Sequence, residues 1–286
     1  MKRLQLTDVA HAYALDKVLA GIDLALPAGR ILALVGPSGC GKTTLLHLCA
    51  GLLTLQTGTL ENRYTRPAVM FQQPRLLPWK TTRDNIALGL KAAGLPRAEW
   101  QMRAQAMGHA VGLDADALEQ FPHQLSGGMQ SRAALARALV LEPDLLLMDE
   151  PFAALDIGLK AQLHRLLLEH QAARGVAVLM ITHDLMEAVR LADAILVMAP
   201  DPGRIVHRFE LAAPAATRDD DFVHRTTAGF LHDADVRACF GLEALAAPAL
   251  QCADHGFAKL GAGGAAQAGE NVIGLARPAT RKGLAC

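Results

Sequence analysis

The stretch Gly36-Pro37-Ser38-Gly39-Cys40-Gly41-Lys42-Thr43 is equipped to hold phosphate. Its glycines let successive backbone N–H groups curl around anionic oxygens, and a helix starting after it presents its positive end to the same place. Lys42 can reach terminal phosphates, and the Thr43 hydroxyl can face Mg²⁺. The stretch matches the pattern G-x-x-x-x-G-K-[ST] and lies between an apolar run ending at Val35 and a helical pattern, the context that motif requires. The structural alternative is an ordinary glycine-rich strand-to-helix turn. A match at every fixed position in the right context weighs against it.

Three further groups of residues bear on the same chemistry. Leu145-Leu146-Leu147-Met148-Asp149-Glu150 puts two carboxylates at the end of a buried strand, where open parallel sheets bind ligands. Asp149 can hold Mg²⁺ through water and Glu150 can polarise an attacking water, although acidic residues also leave strands simply to cap the next helix. A second apolar run ends in Thr182-His183-Asp184, so His183 can reach the edge of a γ-phosphate if its strand lies in the same sheet. Its structural alternative is a helix cap. Leu125-Ser126-Gly127-Gly128-Met129 precedes a helical run from Gln130 to Val140 and makes a second anion-binding helix start. One nucleotide does not need two such sites, which points to a nucleotide held by another subunit; a plain N-cap is the rival reading.

The elements that must position these residues follow from the pattern of apolar runs. Ile31 to Val35, Leu145 to Met148 and Val176 to Thr182 are short, bulky and bounded by turn signals, as buried strands are. Each precedes a helical pattern: Lys42 to Ala50, Lys160 to Ala173 and Leu185 to Leu191. Strands alternating with helices predict a mostly parallel, helix-covered sheet. Between Thr81 and Gln120 the strand signal vanishes and Asp84 to Ala93 and Glu99 to Val111 read as helices, a helical insertion. Leu4 to Val9, Val18 to Leu26 and Gly58 to Leu60 predict a small antiparallel portion near the start. Arg218-Asp219-Asp220-Asp221 reads as a solvated turn and Phe222 to Leu245 as one or two helices. From Ala246 to Cys286 alanine and glycine dominate without periodicity, the composition of a tail that does not bury enough to order itself.

Composition bounds the class. The chain has 286 residues, about half of them apolar at 51%, enough for a sizeable core. Its 28 basic residues balance 28 acidic ones, so nothing marks a nucleic-acid-wrapping surface and any phosphate must be held locally. The first residues lack a signal-peptide core and no run reaches the length of a spanning helix, which predicts a cytosolic chain. Five cysteines, Cys40, Cys49, Cys239, Cys252 and Cys286, have no metal-ligand spacing and read as reduced thiols.

In order and type, these motifs resemble the ATPase subunits of ABC transporters over about residues 4 to 210. The resemblance implies an α/β P-loop ATPase core with a mostly parallel sheet, an N-terminal antiparallel β portion and a helical subdomain. It implies a core from residues 1–80 and 130–210, a helical subdomain from 81–129 carrying the signature motif, a C-terminal helical extension from 211–245 and a flexible tail from 246–286. ATP would be bound by Tyr13, stacking on adenine, and by Gly36, Pro37, Ser38, Gly39, Cys40, Gly41, Lys42, Thr43 and Thr44. An ordinary packed tyrosine is the rival for Tyr13. Mg²⁺ would be held by Thr43, Gln72 and, through water, Asp149, with Glu150, His183 and Gln72 catalytic. Ser126, Gly127, Gly128 and Met129 would contact the ATP of a partner subunit, and Asp156 in Ala153-Ala154-Leu155-Asp156 would be the D-loop aspartate.

Phe71-Gln72-Gln73-Pro74-Arg75-Leu76-Leu77-Pro78-Trp79, followed by Asp84 to Leu90, is similar to the nitrate, sulfonate and taurine importers of that family. This implies a homodimer of ATPase subunits, peripheral on the cytoplasmic face of the inner membrane, working with integral permease subunits and a separate substrate-binding protein and without nucleic acid. Two departures stand out: Met129 replaces the commoner glutamine, and Ser131 stands where glutamine is usual. A non-transport ABC ATPase is one alternative, but such proteins carry a second cassette or a long coiled-coil insertion. The other is a nucleotide-dependent regulatory module that no longer hydrolyses ATP, against which Glu150 and His183 both speak.

Overall fold

The computed structural model describes residues 2–242; the expected tail, with Cys252 and Cys286, lies outside them. Two sheets carry the architecture. The smaller is antiparallel, ordered β2 (Asp16–Pro27), β1 (Arg3–Tyr13), β4 (Thr57–Asn62). The larger runs β5 (Pro67–Met70), β6 (Leu145–Asp149), β7 (Ala177–Ile181), β3 (Ile31–Val35), β8 (Ala194–Ala199), β9 (Arg204–Glu210). Its pairs are parallel except β8 with β9, which is antiparallel.

Every residue of β3, β6, β7 and β8 is buried, because alternate side chains point to opposite faces and both faces are covered. Ile31, Ala33, Val35, Leu146, Met148, Val178 and Met180 join one apolar cluster. Leu32, Leu34, Leu145, Leu147, Leu179 and Ile181 join the other, which takes in Leu4, Leu6, Ile22 and Leu24 of the antiparallel sheet. The small sheet therefore alternates, buried against the core on one side and wet on the other, as the burial pattern of β2 shows.

Helix α1 (Lys42–Cys49) follows β3. Between β5 and β6 lie α2 (Thr82–Ile86), α3 (Leu88–Ala92), α4 (Arg97–Ala110), α5 (Ala115–Glu119) and α6 (Gly127–Leu139). The single helix expected over Asp84 to Ala93 is two, meeting at Ala87. Helix α6 starts at Gly127 rather than Gln130, so the glycines belong to its first turn. Helix α7 (Ile157–Arg174) follows β6 and α8 (Leu185–Leu191) follows β7.

After β9 come α9 (Asp220–Phe230) and α10 (Ala234–Cys239). Here the expectation of a solvated turn fails. Arg218 is buried, donating to the carbonyls of Val189, Ala192 and Ala213, while Asp219 caps α9 by accepting from the Phe222 N–H at 2.8 Å. The carbonyls at the end of α8 lack helical partners and Arg218 supplies donors for them.

Candidate nucleotide site

Four neighbouring strands end at one edge of the large sheet. The carboxyl end of β3 leads into the Gly36–Thr43 loop, β7 into His183, β6 into Asp149 and Glu150, and β5 into Gln72. A cleft of about 260 Å³ opens there, lined by Ser38, Gly39, Gly41, Lys42, Thr43, Thr44, Gln72, Asp149 and Glu150, with Val18 and Ile181 at its walls.

The loop conformation depends on glycine at two places. Gly36 has φ +155, and a Cβ there would run into the Met198 carbonyl. Gly41 has φ +93, and its Cβ would lie 2.6 Å from Leu19 Cδ2. Gly41 is also the N-cap of α1 and brings no side chain to cap it, so the first amides of α1 remain available to an anion in the cleft. Lys42 folds back over the loop, its Nζ donating to the carbonyls of Gly36 at 2.8 Å and Pro37 at 2.7 Å, and standing 3.6 Å from Cys40 Sγ. Cys40 itself turns into the core and is buried.

Two bonded groups link the strands. Thr43 Oγ1 donates to Asp149 Oδ2 at 2.8 Å, joining α1 to β6. Burial raises the Asp149 carboxyl above its ordinary pKa, with the Thr43 bond opposing and the Glu150 charge adding to the rise. A hard dication fits these donors: both are oxygens, and the buried carboxylate lacks the bonds that would settle its charge. Glu150 is the hub of the second group. Gln72 Nε2 donates to its Oε2 at 3.1 Å and His183 Nδ1 lies 3.3 Å from its Oε1. Its backbone is left-handed, φ +47, and its N–H donates to the Ile181 carbonyl at 3.0 Å, so adjoining β7 over-determines a strained residue.

The remaining expected residues lie elsewhere. Tyr13 ends β1, is 48% exposed, stacks edge-on against His11 with ring centres 4.9 Å apart, and does not line the cleft. None of Ser126, Gly127, Gly128 and Met129 lines it either. Ser126 Oγ accepts from the Met129 N–H at 3.3 Å, capping α6; Ser126 and Gly127 are exposed and Gly128 is half-buried. A Cβ on Gly128 would lie 3.3 Å from the Ala154 carbonyl, so this helix start adjoins the segment leading to Asp156. Asp156 caps α7, accepting from the Leu159 N–H at 2.9 Å. Ser131 is buried and donates to the Gly127 carbonyl at 3.1 Å, within its own helix.

Sequence reading missed two residues that shape the loop after Gln72. Asn85 is fully buried; its Oδ1 accepts from the Leu77 N–H at 2.7 Å and its Nδ2 donates to the carbonyls of Leu77, Lys80 and Thr81. An asparagine inside a short helix, where it is a poor former, is the signal that could have found it. Arg137, in α6, donates to the carbonyls of Pro74 and Arg75; an arginine in the otherwise small and apolar run Ala133 to Leu139 is the corresponding signal.

Residues 19–153 match the ABC transporter family model. The chain is 44% identical over 222 residues to the aliphatic sulfonates import ATP-binding protein SsuB of Mycobacterium avium, covering 77% of this chain and 86% of that one. It is 42% identical over 215 residues to the taurine import ATP-binding protein TauB of Escherichia coli O157:H7, covering 73% and 84%. Among solved structures, the dimeric bacterial ABC transporter cassette MJ0796 superposes with a TM-score of 0.69 at 27% identity over 74% of this chain and 100% of that one. Its post-hydrolysis dimer bound to ADP and phosphate gives 0.67 at 26% identity, covering 74% and 100%.

Proposed function

The chain belongs to the ABC transporter family, and from that premise we propose that it is the ATP-hydrolysing subunit of a bacterial importer for a small anion such as a sulfonate, taurine or nitrate. The observation that carries the reading is the convergence of Thr43–Asp149 and Gln72–Glu150 on the cleft beneath the Gly36–Thr43 loop, with His183 meeting Glu150 from outside that cleft. A regulatory module without hydrolysis would have no use for a glutamate on a strained backbone that meets Gln72 at one oxygen and His183 at the other.

In this reading ATP lies with its phosphates on the loop amides and Lys42, and its adenine against Tyr13. Thr43, Gln72 and, through water, Asp149 would hold Mg²⁺, which would supply charge neutralisation at the phosphates. Lys42 leaves the Gly36 and Pro37 carbonyls for phosphate oxygens, exchanging neutral acceptors for charged ones. Glu150 accepts the proton of the water that attacks the γ-phosphate in line; Gln72 and His183 fix its two oxygens, so its lone pairs meet the water without reorganisation. The bond to the β-phosphate oxygen breaks and ADP leaves.

The helix start at Ser126–Gly128, exposed at Ser126 and Gly127, serves the ATP of a second copy, giving a dimer with two nucleotides between its halves. Among the described residues no helix is long and apolar enough to cross a membrane, and the reading assigns translocation to integral permease subunits, with a separate binding protein presenting the solute and this subunit peripheral on the cytoplasmic face. The names of the relatives, which include aliphatic sulfonates and taurine, guide the choice of solute. Deleting the gene and supplying alkanesulfonates, taurine or nitrate singly as sulfur or nitrogen source tests it. Loss of growth on one of them, restored by the wild-type chain and not by Glu150→Gln, is the expected result; unimpaired growth on all of them would overturn the solute class.

A further inference from the structure

Arg137 lies about three helical turns beyond Ser126 on the same helix and does not line the nucleotide cleft. Its Nη1 donates to the Arg75 carbonyl at 2.9 Å and its Nη2 to the Pro74 carbonyl at 2.6 Å. Both carbonyls belong to the segment that begins at Gln72, whose side-chain amide is bonded to Glu150. That segment is strained and braced. Arg75 adopts φ +44, a conformation that a non-glycine residue keeps only when its surroundings impose it. Its guanidinium sits 4.5 Å from the centre of the Phe71 ring, back across Gln72. Gln72 is thus spanned by one contact, and Arg137 anchors the far end of the span to α6.

The planar guanidinium is suited to this. It offers donors from two nitrogens in a rigid fork, one to each of two successive carbonyls, where a lysine would offer a single rotatable ammonium on a flexible stem. Withdrawal from water also lowers the Arg137 pKa, so the charged group has given up hydration and the two carbonyls stand in for it. Since α6 is one continuous helix from Gly127 to Leu139, a tilt imposed at its start is carried to Arg137.

We propose that Arg137 is a positioning residue that couples the two ATP sites of the dimer: seating of Ser126–Gly128 on the partner's nucleotide sets, through α6 and Arg137, the hold of Gln72 on Glu150 in its own site. The inference rests on the dimeric reading given above and adds to it a route by which one site's occupancy governs hydrolysis at the other.

The test uses the full chain and ATP itself. Hydrolysis against ATP concentration is measured for the wild type, Arg137→Lys, Gln72→Ala and the double variant, with ATP affinity taken by direct titration. Arg137→Lys should lower kcat about tenfold and leave ATP affinity within about threefold. The Hill coefficient should fall from about 2, the number of sites, toward non-cooperative behaviour. The double variant should be no slower than Gln72→Ala alone, since both changes release the same restraint. Unchanged cooperativity in Arg137→Lys, or losses at the two positions that multiply, would overturn the coupling. A residue that only packs would lower melting temperature and ATP affinity together while cooperativity stayed intact, which also overturns it. Should Arg137→Lys not fold, Arg137→Gln, which retains a donor for one carbonyl, carries the same cycle. If the wild type shows no cooperativity and Glu150→Gln does not dimerise with ATP, it is the dimeric reading that fails, and the cycle on kcat still decides whether Arg137 acts through Gln72.

Discussion

Strand β6 is flanked by an aspartate at each end, and the two are in opposite states. Asp144, just before the strand, accepts from Lys2 Nζ at 2.7 Å, the Thr65 N–H at 3.0 Å, Thr65 Oγ1 at 2.9 Å and the Arg66 N–H at 2.8 Å. Burial alone would raise its pKa, but these bonds outweigh burial and hold the carboxyl well below the usual range. Asp149, the last residue of the strand, accepts from the Thr43 hydroxyl at 2.8 Å and is raised. Both are buried. What separates a carboxylate that closes the fold from one kept for chemistry is how completely its lone pairs are used. At the amino end of the parallel sheet Asp144 ties the antiparallel sheet and the β5 strand to β6; at the carboxyl end Asp149 keeps a single such bond, which in the proposed reading leaves it open to a ligand.

The largest effects belong to the carboxyl end. Glu150→Gln keeps the side chain's shape and removes the base, so turnover should fall about a thousandfold while ATP still binds. The protein should then accumulate as an ATP-bound dimer on size exclusion. Hydrolysis near the wild-type rate would remove Glu150 from the reaction. Lys42→Ala should differ in kind: direct titration should show ATP affinity weakened about ten- to a hundredfold, since a charge-assisted phosphate contact is gone. Unchanged affinity would refute the role given to Lys42.

The amino end should show the converse, a loss of stability with catalysis intact. Asp144→Asn leaves donors from Lys2, Thr65 and Arg66 without their charged acceptor and should cost about 2 kcal/mol, lowering the melting temperature by about 4–8 °C. The signs with pH then separate the two ends. The folded pKa of Asp144 is depressed, so its contribution is complete above the ordinary carboxylate pKa of about 4 and is lost as pH falls through the folded value. The gap between wild type and Asp144→Asn should therefore narrow in acid. The folded pKa of Asp149 is raised, so its ionisation in the fold opposes stability once pH climbs past that ordinary value. Without nucleotide, Asp149→Asn should raise the melting temperature at neutral pH, with no such gain in acid. If both substitutions shift the melting temperature in the same direction at pH 7, the contrast between the two ends of β6 is wrong.

How legible this was depends on whether the signal was local. Ile31–Val35 could be read to the residue because it is an apolar run bounded by a charge and a glycine. Strand β8 went unread because Leu191 to Ala199 is nearly continuous apolar sequence, and periodicity alone does not divide the end of a helix from a buried strand. Arg218 misled because charge beside three aspartates looks solvated; the carbonyls that bury it come from α8, far back in the chain. At the cleft and its rim, residue types and spacing named Lys42, Thr43, Asp149, Glu150 and His183, and the family resemblance added Gln72, yet neither said which atoms meet. That Gln72 and His183 hold opposite oxygens of Glu150 depends on the order of strands, which no local pattern contains. Asn85 and Arg137 lay outside every motif, because their partners are backbone carbonyls that any sequence would offer.

The smallest effect on the isolated protein should come from neither end of β6 but from Trp79. It follows Pro78 in the loop after Gln72 and is 69% exposed. An exposed indole contributes little to its own fold, and the loop around it is already held by Asn85, through the Leu77 N–H and the carbonyls of Leu77, Lys80 and Thr81. Trp79→Ala should therefore leave basal ATP hydrolysis and melting temperature close to wild type, unlike any substitution at Asp144, Asp149 or Glu150. Its effect should appear with the membrane partner. A loop joined to Gln72 at one end and to the helical segment at the other is where a permease can feel nucleotide state, and an aromatic anchor in such a contact is worth about 2 kcal/mol or more, enough to weaken docking more than tenfold. Measuring basal hydrolysis, permease pull-down and solute uptake on the same variant separates the possibilities. Weakened pull-down with lost uptake and normal basal hydrolysis is the expected pattern. Normal uptake would sink the docking role, and lost basal activity with normal pull-down would mean instead that the indole steadies Gln72 despite its exposure.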